Sequence, residues 1–510
     1  MRNFRGLKAY WRSLPQRTRW AAELALELTL AVIFLVWESQ VGWAIVIVTA
    51  LLWAPKLPFY YRLGIGAAVV ILTLIFLTPL GIILFALLAV LWIPPDLRVG
   101  PLPVKQTTLI GGSVLAAVLY PYYVDKLFTI PIFGDFPDVS TGVVMIVFIM
   151  MAVGLNIVVG YAGLLDLGYV AFYAMGAYTA AWFSSLQFPH QTFHFGAIGI
   201  DPKLPGIHIT IWLLLLLAGV LTALAGIIIG LPTLRLRGDY LAIVTLGFGE
   251  ILPQVARNGD SLFGTGFNLT NGPNGITPLD SLGFGNHISS WTGGFLPANY
   301  LQCCNAHYLG HQVQSTDVFF WTAIVLLLFT VFCSLRLQYS RLGRAWIAIR
   351  EDETAAAAMG VPLMRTKTWA YATGAFFGGI AGAYYATFKS ATFPGDFFFN
   401  ISVFILCMVI LGGMGNIMGV IVGAGFLAYL DREGLANTGA WVNANVHVGS
   451  HHPNLDVPLY ASGIYGLIIL IVMLFRPEGL IPSKRRAAEL HEGVQHDEPL
   501  YDSTHAGAEA

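Results

Sequence analysis

Long apolar stretches separated by short polar breaks recur along most of the chain, and many approach the ~20 residues that a helix needs to cross a bilayer. The pattern predicts spans at 21–37, 41–54, 64–77, 81–93, 107–123, 142–160, 163–185, 209–232, 239–255, 317–336, 366–388, 398–414, 416–430 and 457–475. Several are short enough to be broken or re-entrant. The expected fold is therefore an all-α integral membrane protein, a polytopic helical bundle with about 10–14 spans. Three connections are long, at 186–208, 256–316 and 431–456. The second is rich in Gly, Asn, Ser and Thr and reads as a small external cap or docking surface. The tail 484–510 is polar and reads as disordered.

Charge placement orients the spans. Arg2, Arg5, Lys8, Arg12, Arg17 and Arg19 precede the apolar run Trp20–Trp37, which holds Glu23 and Glu27. No small-residue cleavage site follows, so the run reads as a retained first helix rather than a signal peptide. With the N-terminus inside, every Lys and Arg falls on the cytoplasmic side except Lys126, Lys203, Arg257, Lys389 and Arg432. That asymmetry follows the positive-inside rule and puts both termini in the cytoplasm. Composition agrees with a membrane protein: 11% of residues are charged, against about 25% in soluble domains. A net charge of −1 gives no field for nucleic acid. The four cysteines, Cys303, Cys304, Cys333 and Cys407, are too few for a disulfide scaffold. No Walker A pattern occurs, so any ATP hydrolysis belongs to another polypeptide.

Candidate chemistry concentrates in two stretches. The first is GLNIVVGYAGLLDLGYVAFYAMGAY at 154–178, where Gly154, Gly160, Gly163, Gly168 and Gly176 surround Asp166. Glycines and a carboxylate in one apolar region imply closely packed or broken helices, and irregular backbone at membrane depth must be covered by protein or line a cavity. Two roles stand for Asp166: capping a helix end at the Gly160–Gly163 break, or lining a pathway, with Gly163 and Gly168 beside it. The second stretch, 335–367, holds Arg336, Arg341, Arg344, Arg350, Glu351, Asp352, Glu353, Arg365 and Lys367. Leu342, Ala345, Trp346, Ile349, Ala356 and Met359 recur at helical spacing among them, which predicts one amphipathic helix over about 342–360. Gly360 and Pro362 supply its stop signal. On the residues alone it is a charged interfacial helix.

These stretches resemble the LivM-type membrane subunits of branched-chain amino acid ABC importers. LRGDYLAIVTLGFGEI at 236–251, LTNGPNGI at 269–276, SRLGRAWIAIREDETAAAAMGV at 340–361 and FRPEGLIP at 475–482 agree in order. The resemblance covers roughly 140–485 and divides the chain into an N-terminal extension 1–135 with about five added helices, a permease core 136–483 and the tail. It implies that 342–360 is the coupling helix that meets an ATPase, through Arg344, Trp346, Ile349, Glu353, Ala355, Ala356, Met359 and Gly360. Ala355, Ala356 and Gly360 match part of the EAA-x3-G pattern, whereas Thr354 stands where that pattern has Glu. Ala356→Glu would then block docking while protein level holds. The resemblance further implies a second homologous permease subunit, two cytoplasmic ATPase subunits carrying ATP and Mg, a periplasmic or extracellular binding protein, and a bacterial inner membrane. This chain itself needs no cofactor and is not an enzyme.

Other features carry less. Gly374, Gly378 and Gly382 step by four in one span, and Gly415, Gly419 and Gly423 in another, which suits close helix packing. Glu250 closes an apolar run and could line a pathway or meet a neighbouring helix. Asp239 suits a helix start, where a carboxylate favours the dipole. Thr270–Gly275 reads as turn chemistry. Cys303, Cys304, His307 and His311 do not have zinc spacing, and a disulfide between the two cysteines stays open. Two other functions remain: a urea or short-amide ABC permease, and an ion-coupled secondary amino-acid transporter using Asp166 and Glu250. The orientation is directly testable. A cysteine at Asn286 (Asn286→Cys) should react with an impermeant thiol reagent in intact cells; labelling only after permeabilisation contradicts the orientation.

Overall fold

The computed structural model describes residues 98–99, 102–124, 136–196, 204–235, 239–261, 267–293, 296–301, 307–308, 311–445, 456–476 and 478–481. The spans expected before residue 98, the tail 484–510, and the Cys303–Cys304 pair lie outside them. The chain divides into two compact units, residues 1–139 with 437–455, and residues 140–436 with 456–510. In the first, a two-strand hairpin (β1, Arg98–Val99; β2, Leu102–Pro103) leads into helix α1, Val104–Tyr123. The second holds the permease-like stretches.

Its helices are α2 (Val139–Asn156, extended by a π-helical turn Ile157–Tyr161), α3 (Tyr169–Phe183), α4 (Ile211–Thr233) and α5 (Asp239–Arg257). After the short α6 (Gly285–Trp291) come α7 (Ser315–Gln338), α8 (Arg341–Glu351), α9 (Glu353–Ala358) and α10 (Leu363–Lys389). The series ends with α11 (Phe399–Gly412), α12 (Ile417–Tyr429) and α14 (Ala461–Phe475), while α13 (Leu435–Asn445), between α12 and α14 in the chain, falls from Asn437 onward in the first unit. Among the described residues five helical stretches are long and apolar enough to cross a membrane: Val139–Tyr161, Ile211–Thr233, Ser315–Gln338, Pro394–Gly412 and Val457–Phe475. The protein is a helical, multi-pass membrane protein.

Helix α10 forms the interior, packed chiefly against α3 and α4. Its sequence is dominated by Gly, Ala, Thr and aromatics rather than by long aliphatics, because most of its surface meets protein instead of lipid. A Cβ at Gly382 would land on the Tyr173 carbonyl oxygen, and one at Gly176 on the Gly379 carbonyl oxygen. Backbone therefore meets backbone along this seam, as small-residue interfaces allow. Aromatics fill the space beyond it. Tyr169 donates to the Gly374 carbonyl at 3.0 Å, and Phe172 meets Tyr371 edge-on at 5.3 Å. Helix α4 shows the opposite pattern: Leu213, Leu216, Val220, Leu224 and Ile228 are exposed at helical spacing, an outward stripe suited to acyl chains.

Ends expected on one side of the membrane lie together. Ile276 and Thr392 form an isolated bridge, as do Ser185 and Leu279, so part of loop 256–316 covers the ends of α3 and α10. Strands β3 (Ser184–Ser185), β4 (Thr192–Phe195) and β5 (Gly206–Ile209) form a small sheet in order β3-β5-β4 at the same end. There, buried His208 meets Asp280 at 2.8 Å. Burial pushes the Asp280 carboxyl above its usual range, and the His208 contact opposes that shift.

Three expectations need correction. The span expected over 163–185 begins as irregular backbone, and its helix starts only at Tyr169. The loop expected over 431–456 is helical at first: α12 passes through a π-helical turn, Leu430–Gly434, into α13. Gly415 lies outside any span, in the α11–α12 turn with φ +86°, while Gly419 and Gly423 do lie on α12 against Gly412. The interior seam gives a stability contrast. Gly382→Ala should lower stability by about 1–3 kcal/mol through overpacking, whereas Gly463→Ala, with open space around its Cβ position, should change it by less than about 0.5 kcal/mol. Thermal unfolding of the purified variants in detergent checks both.

Candidate functional site

The charged segment 335–367 is two helices rather than one. Ser340 caps α8 by accepting from the Gly343 amide at 3.1 Å. Asp352, in extended conformation, then ends α8 and caps α9, accepting from the Thr354 amide at 2.8 Å and the Ala355 amide at 3.0 Å. Those bonds to the carboxylate hold the Asp352 carboxyl below its ordinary range, the Thr354 hydroxyl contributing most. A cap in mid-segment breaks the expected single helix because the side chain competes for the amides that would continue it.

The apolar face of this segment turns inward. Trp346 is fully buried and donates through Nε1 to the Thr366 carbonyl at 2.8 Å. Ile349 and Ala356 are buried too, and Lys367 pairs with Glu353 at 2.8 Å. The expectation that Trp346, Ile349 and Ala356 are free for a partner is thus corrected: they anchor the segment to its own bundle, and Ala356→Glu would disrupt this chain. Arg344, Ala355, Met359 and Gly360 are exposed, Met359 at 85%. Gly360 has φ +85°, a left-handed ending that glycine adopts freely.

Where the segment meets the bundle, helix α2 ends. Its last turn is π-helical, with Ala162 N donating to Ile157 O at 3.3 Å and Leu164 N to Val158 O at 3.1 Å. The Gly160 carbonyl instead receives Arg350 Nη1. The Arg350 side chain lies against Gly163, which has φ +69° and whose Cβ would meet Arg350 Cγ at 2.8 Å. Arg350 Nη1 is also 3.1 Å from the Cβ position at Gly415. Asn156 closes the ring: its Oδ1 accepts from the Gly415 amide at 2.9 Å. One arginine from α8 thereby meets the end of α2, the irregular segment after it, and the α11–α12 turn.

Asp166 sits within that irregular segment, fully buried. Its Oδ1 accepts from the Gly168 amide at 2.9 Å, which shapes the turn into α3. Oδ2 has no well-formed hydrogen bond, though the Tyr371 hydroxyl acts on the carboxylate. Thr245 of α5 holds the same turn, accepting from the Leu167 amide at 3.0 Å. A Cβ at Gly168 would strike the Thr245 carbonyl. Glu250 is exposed on α5, next to Gly249, whose Cβ position lies 3.4 Å from Gly168 Cα.

The structure thus brings Gly163, Gly168 and Asp166 together and places Glu250 on the exposed side of α5. It adds Asn156, Thr245 and Arg350, which sequence reasoning did not select. A polar Asn within an apolar run, four residues before a glycine, was the available signal for Asn156. Among the described residues no cluster of three His, Cys, Asp or Glu side chains could hold a metal. Because Asn supplies the same acceptor, Asp166→Asn should leave protein level normal and uptake within about twofold of wild type. Uptake of labelled substrate normalised to membrane protein level checks this; a deep loss would show that the charge itself is needed.

Comparison with known proteins agrees with this architecture. Residues 139–473 match the family described as "Branched-chain amino acid transport system / permease component". The chain is 34% identical over 397 residues to the high-affinity branched-chain amino acid transport system permease protein LivM of Salmonella typhimurium, covering 76% of this chain and 78% of that one. It is 33% identical over 402 residues to the LivM protein of Escherichia coli, covering 78% and 79%. A probable branched-chain amino acid transport permease protein LivM of Methanocaldococcus jannaschii is 26% identical over 276 residues, covering 53% and 69%. No solved structure matches. With a matching family region spanning well over half its length, the chain belongs to the branched-chain amino acid transport permease family.

Proposed function

We propose that this chain is the membrane permease subunit of an ATP-driven importer that moves leucine, isoleucine and valine into the cytoplasm. It works beside a second homologous permease subunit, two cytoplasmic ATPase subunits that carry ATP and Mg, and a periplasmic or extracellular binding protein. It lies in a bacterial inner membrane with both termini in the cytoplasm. The named relatives support the substrate class, and the positive-inside pattern supports the orientation.

One observation carries the coupling role: Arg350 reaches from α8 to the Gly160 carbonyl at the end of α2. A force applied to the exposed side of α8–α9 reaches the broken helix without passing through loop, because the segment is anchored by Trp346 and pinned by Arg350. The exposed Arg344, Ala355, Met359 and Gly360 are the residues that an ATPase groove can take. Glu250, exposed on α5, suits a face toward the second permease subunit, while Gly163, Gly168 and Asp166 form the hinge beside the pathway. An ion-coupled transporter has no use for such a segment, and its two candidate coupling charges differ in surroundings, Asp166 being buried and Glu250 exposed.

Arg350→Gln removes a charge-assisted hydrogen bond worth about 1.5–3 kcal/mol. Uptake should fall by roughly ten- to a hundredfold while the ATPase subunits still co-purify with the variant. Wild-type uptake in Arg350→Gln would overturn the coupling role.

A further inference from the structure

A cavity of about 380 Å³ opens between α11, the π-helical turn after α12, and α14. Helix α12 carries this turn about 20 Å from the Gly415–Asn416 turn that Arg350 touches, at 1.5 Å per residue. The cavity is therefore remote from the coupling contact. Its walls divide by chemistry. Phe148, Phe404, Ile401 and Val403 are apolar, and Asp431 and Arg432 are adjacent charges on the π-helical turn. Two opposite charges facing an apolar wall can hold a ligand that carries both signs, and π-helical turns are frequent at functional sites.

The two charges are arranged to serve a ligand as well as each other. Arg432 Nε lies 3.2 Å from Asp431 Oδ2, with the side chains 41% and 29% exposed. The guanidinium lies over the Phe148 ring, 5.4 Å from its centre. Tyr465 donates to Asp431 Oδ1 at 2.7 Å and fixes the carboxylate. Phe404 stacks obliquely on Tyr465 at 4.9 Å, joining the apolar wall to the polar one. A guanidinium offers about five N–H donors, and the contact with Asp431 occupies only its Nε edge.

We infer that this cavity binds the zwitterion of an apolar α-amino acid, its carboxylate on Arg432, its ammonium on Asp431 and its side chain against Phe148, Phe404, Ile401 and Val403. A lone anion or cation would face one of the paired charges with like sign, and an uncharged apolar molecule would gain nothing from either, whereas a zwitterion pairs with both. Ligand charges held on a single carbon match charges held on adjacent residues. The headgroup of phosphatidylethanolamine offers the same two charges at wider separation and is the competing occupant. The inference rests on the proposed amino-acid permease function and gives that function a transient resting place within this subunit.

Cys407 lines the same cavity and is a free thiol, so the native chain carries its own reporter. The complex is reconstituted in phosphatidylcholine nanodiscs, and Cys407 alkylation by a small neutral reagent is followed by mass spectrometry of its peptide. Leucine at about ten times its Kd should slow labelling roughly tenfold by mass action. 4-Methylpentanoate, which lacks the ammonium, and 3-methylbutylamine, which lacks the carboxylate, should not. In Arg432→Gln the unliganded labelling rate should stay at the wild-type value and leucine protection should vanish. Equal protection by either single-charge analogue overturns the zwitterion site. So does slow labelling in phosphatidylethanolamine nanodiscs whether or not leucine is present, which identifies the lipid instead. Absence of protection in a complex that still imports leucine rejects the cavity and leaves the permease function standing. Absence of both protection and leucine import rejects both.

Discussion

A helix that ends inside a membrane bundle leaves carbonyl oxygens that water cannot reach, and every such group must find a partner from the protein. At the end of α2 the partner for Gly160 is Arg350, a side chain from the charged segment outside the span. The features around it follow from this constraint. Gly163 adopts a left-handed conformation where a Cβ would meet Arg350. Asn156 fixes the neighbouring Gly415 turn, and Asp166 and Thr245 shape the backbone into α3. A charge-assisted bond at this place is stronger than a neutral one, and it ties the charged segment to the broken helix.

Around that contact the bundle sorts residues by what each surface faces. Lipid accepts Leu, Ile and Val without a specific fit, so α4 and α14 expose them freely. The interior around α10 has no hydrophobic gradient against lipid to draw on. Its helices hold together through close backbone approach at Gly176, Gly379 and Gly382, with hydrogen bonds such as Thr322 to Tyr384 at 2.7 Å between side chains. The central helix of the bundle is consequently poor in Leu, Ile and Val, and hydropathy alone ranks it below the peripheral spans.

Much of this was legible in the sequence. Apolar runs at 209–232, 317–336 and 457–475 appear as helices Ile211–Thr233, Ser315–Gln338 and Ala461–Phe475, because a lipid-facing helix advertises itself by composition. Asp239 does begin α5. The charged segment was visible, but not its break at Asp352 or its direction. An amphipathic face looks the same whether it packs on its own bundle or on another protein, so the burial of Trp346 could not be read from spacing. Arg350 was hidden for a related reason. Among nine neighbouring charges, only the fold selects the one whose length and position reach a carbonyl orphaned by a π-helical turn. The charges at Asp431 and Arg432 read as loop because a π-helical turn has no distinct sequence period.

If work enters this protein through the charged segment, transport must follow ATP and not an ion gradient. Leucine uptake by cells that depend on this chain separates the two sources of energy. Under one condition ATP is depleted while the proton and sodium gradients are held; under the other the gradients are collapsed by ionophores while ATP is held. Loss of uptake on ATP depletion, with uptake retained after gradient collapse, is the expected result. Uptake that survives ATP depletion and disappears with the gradients would contradict the assignment of this chain as an ATP-driven permease.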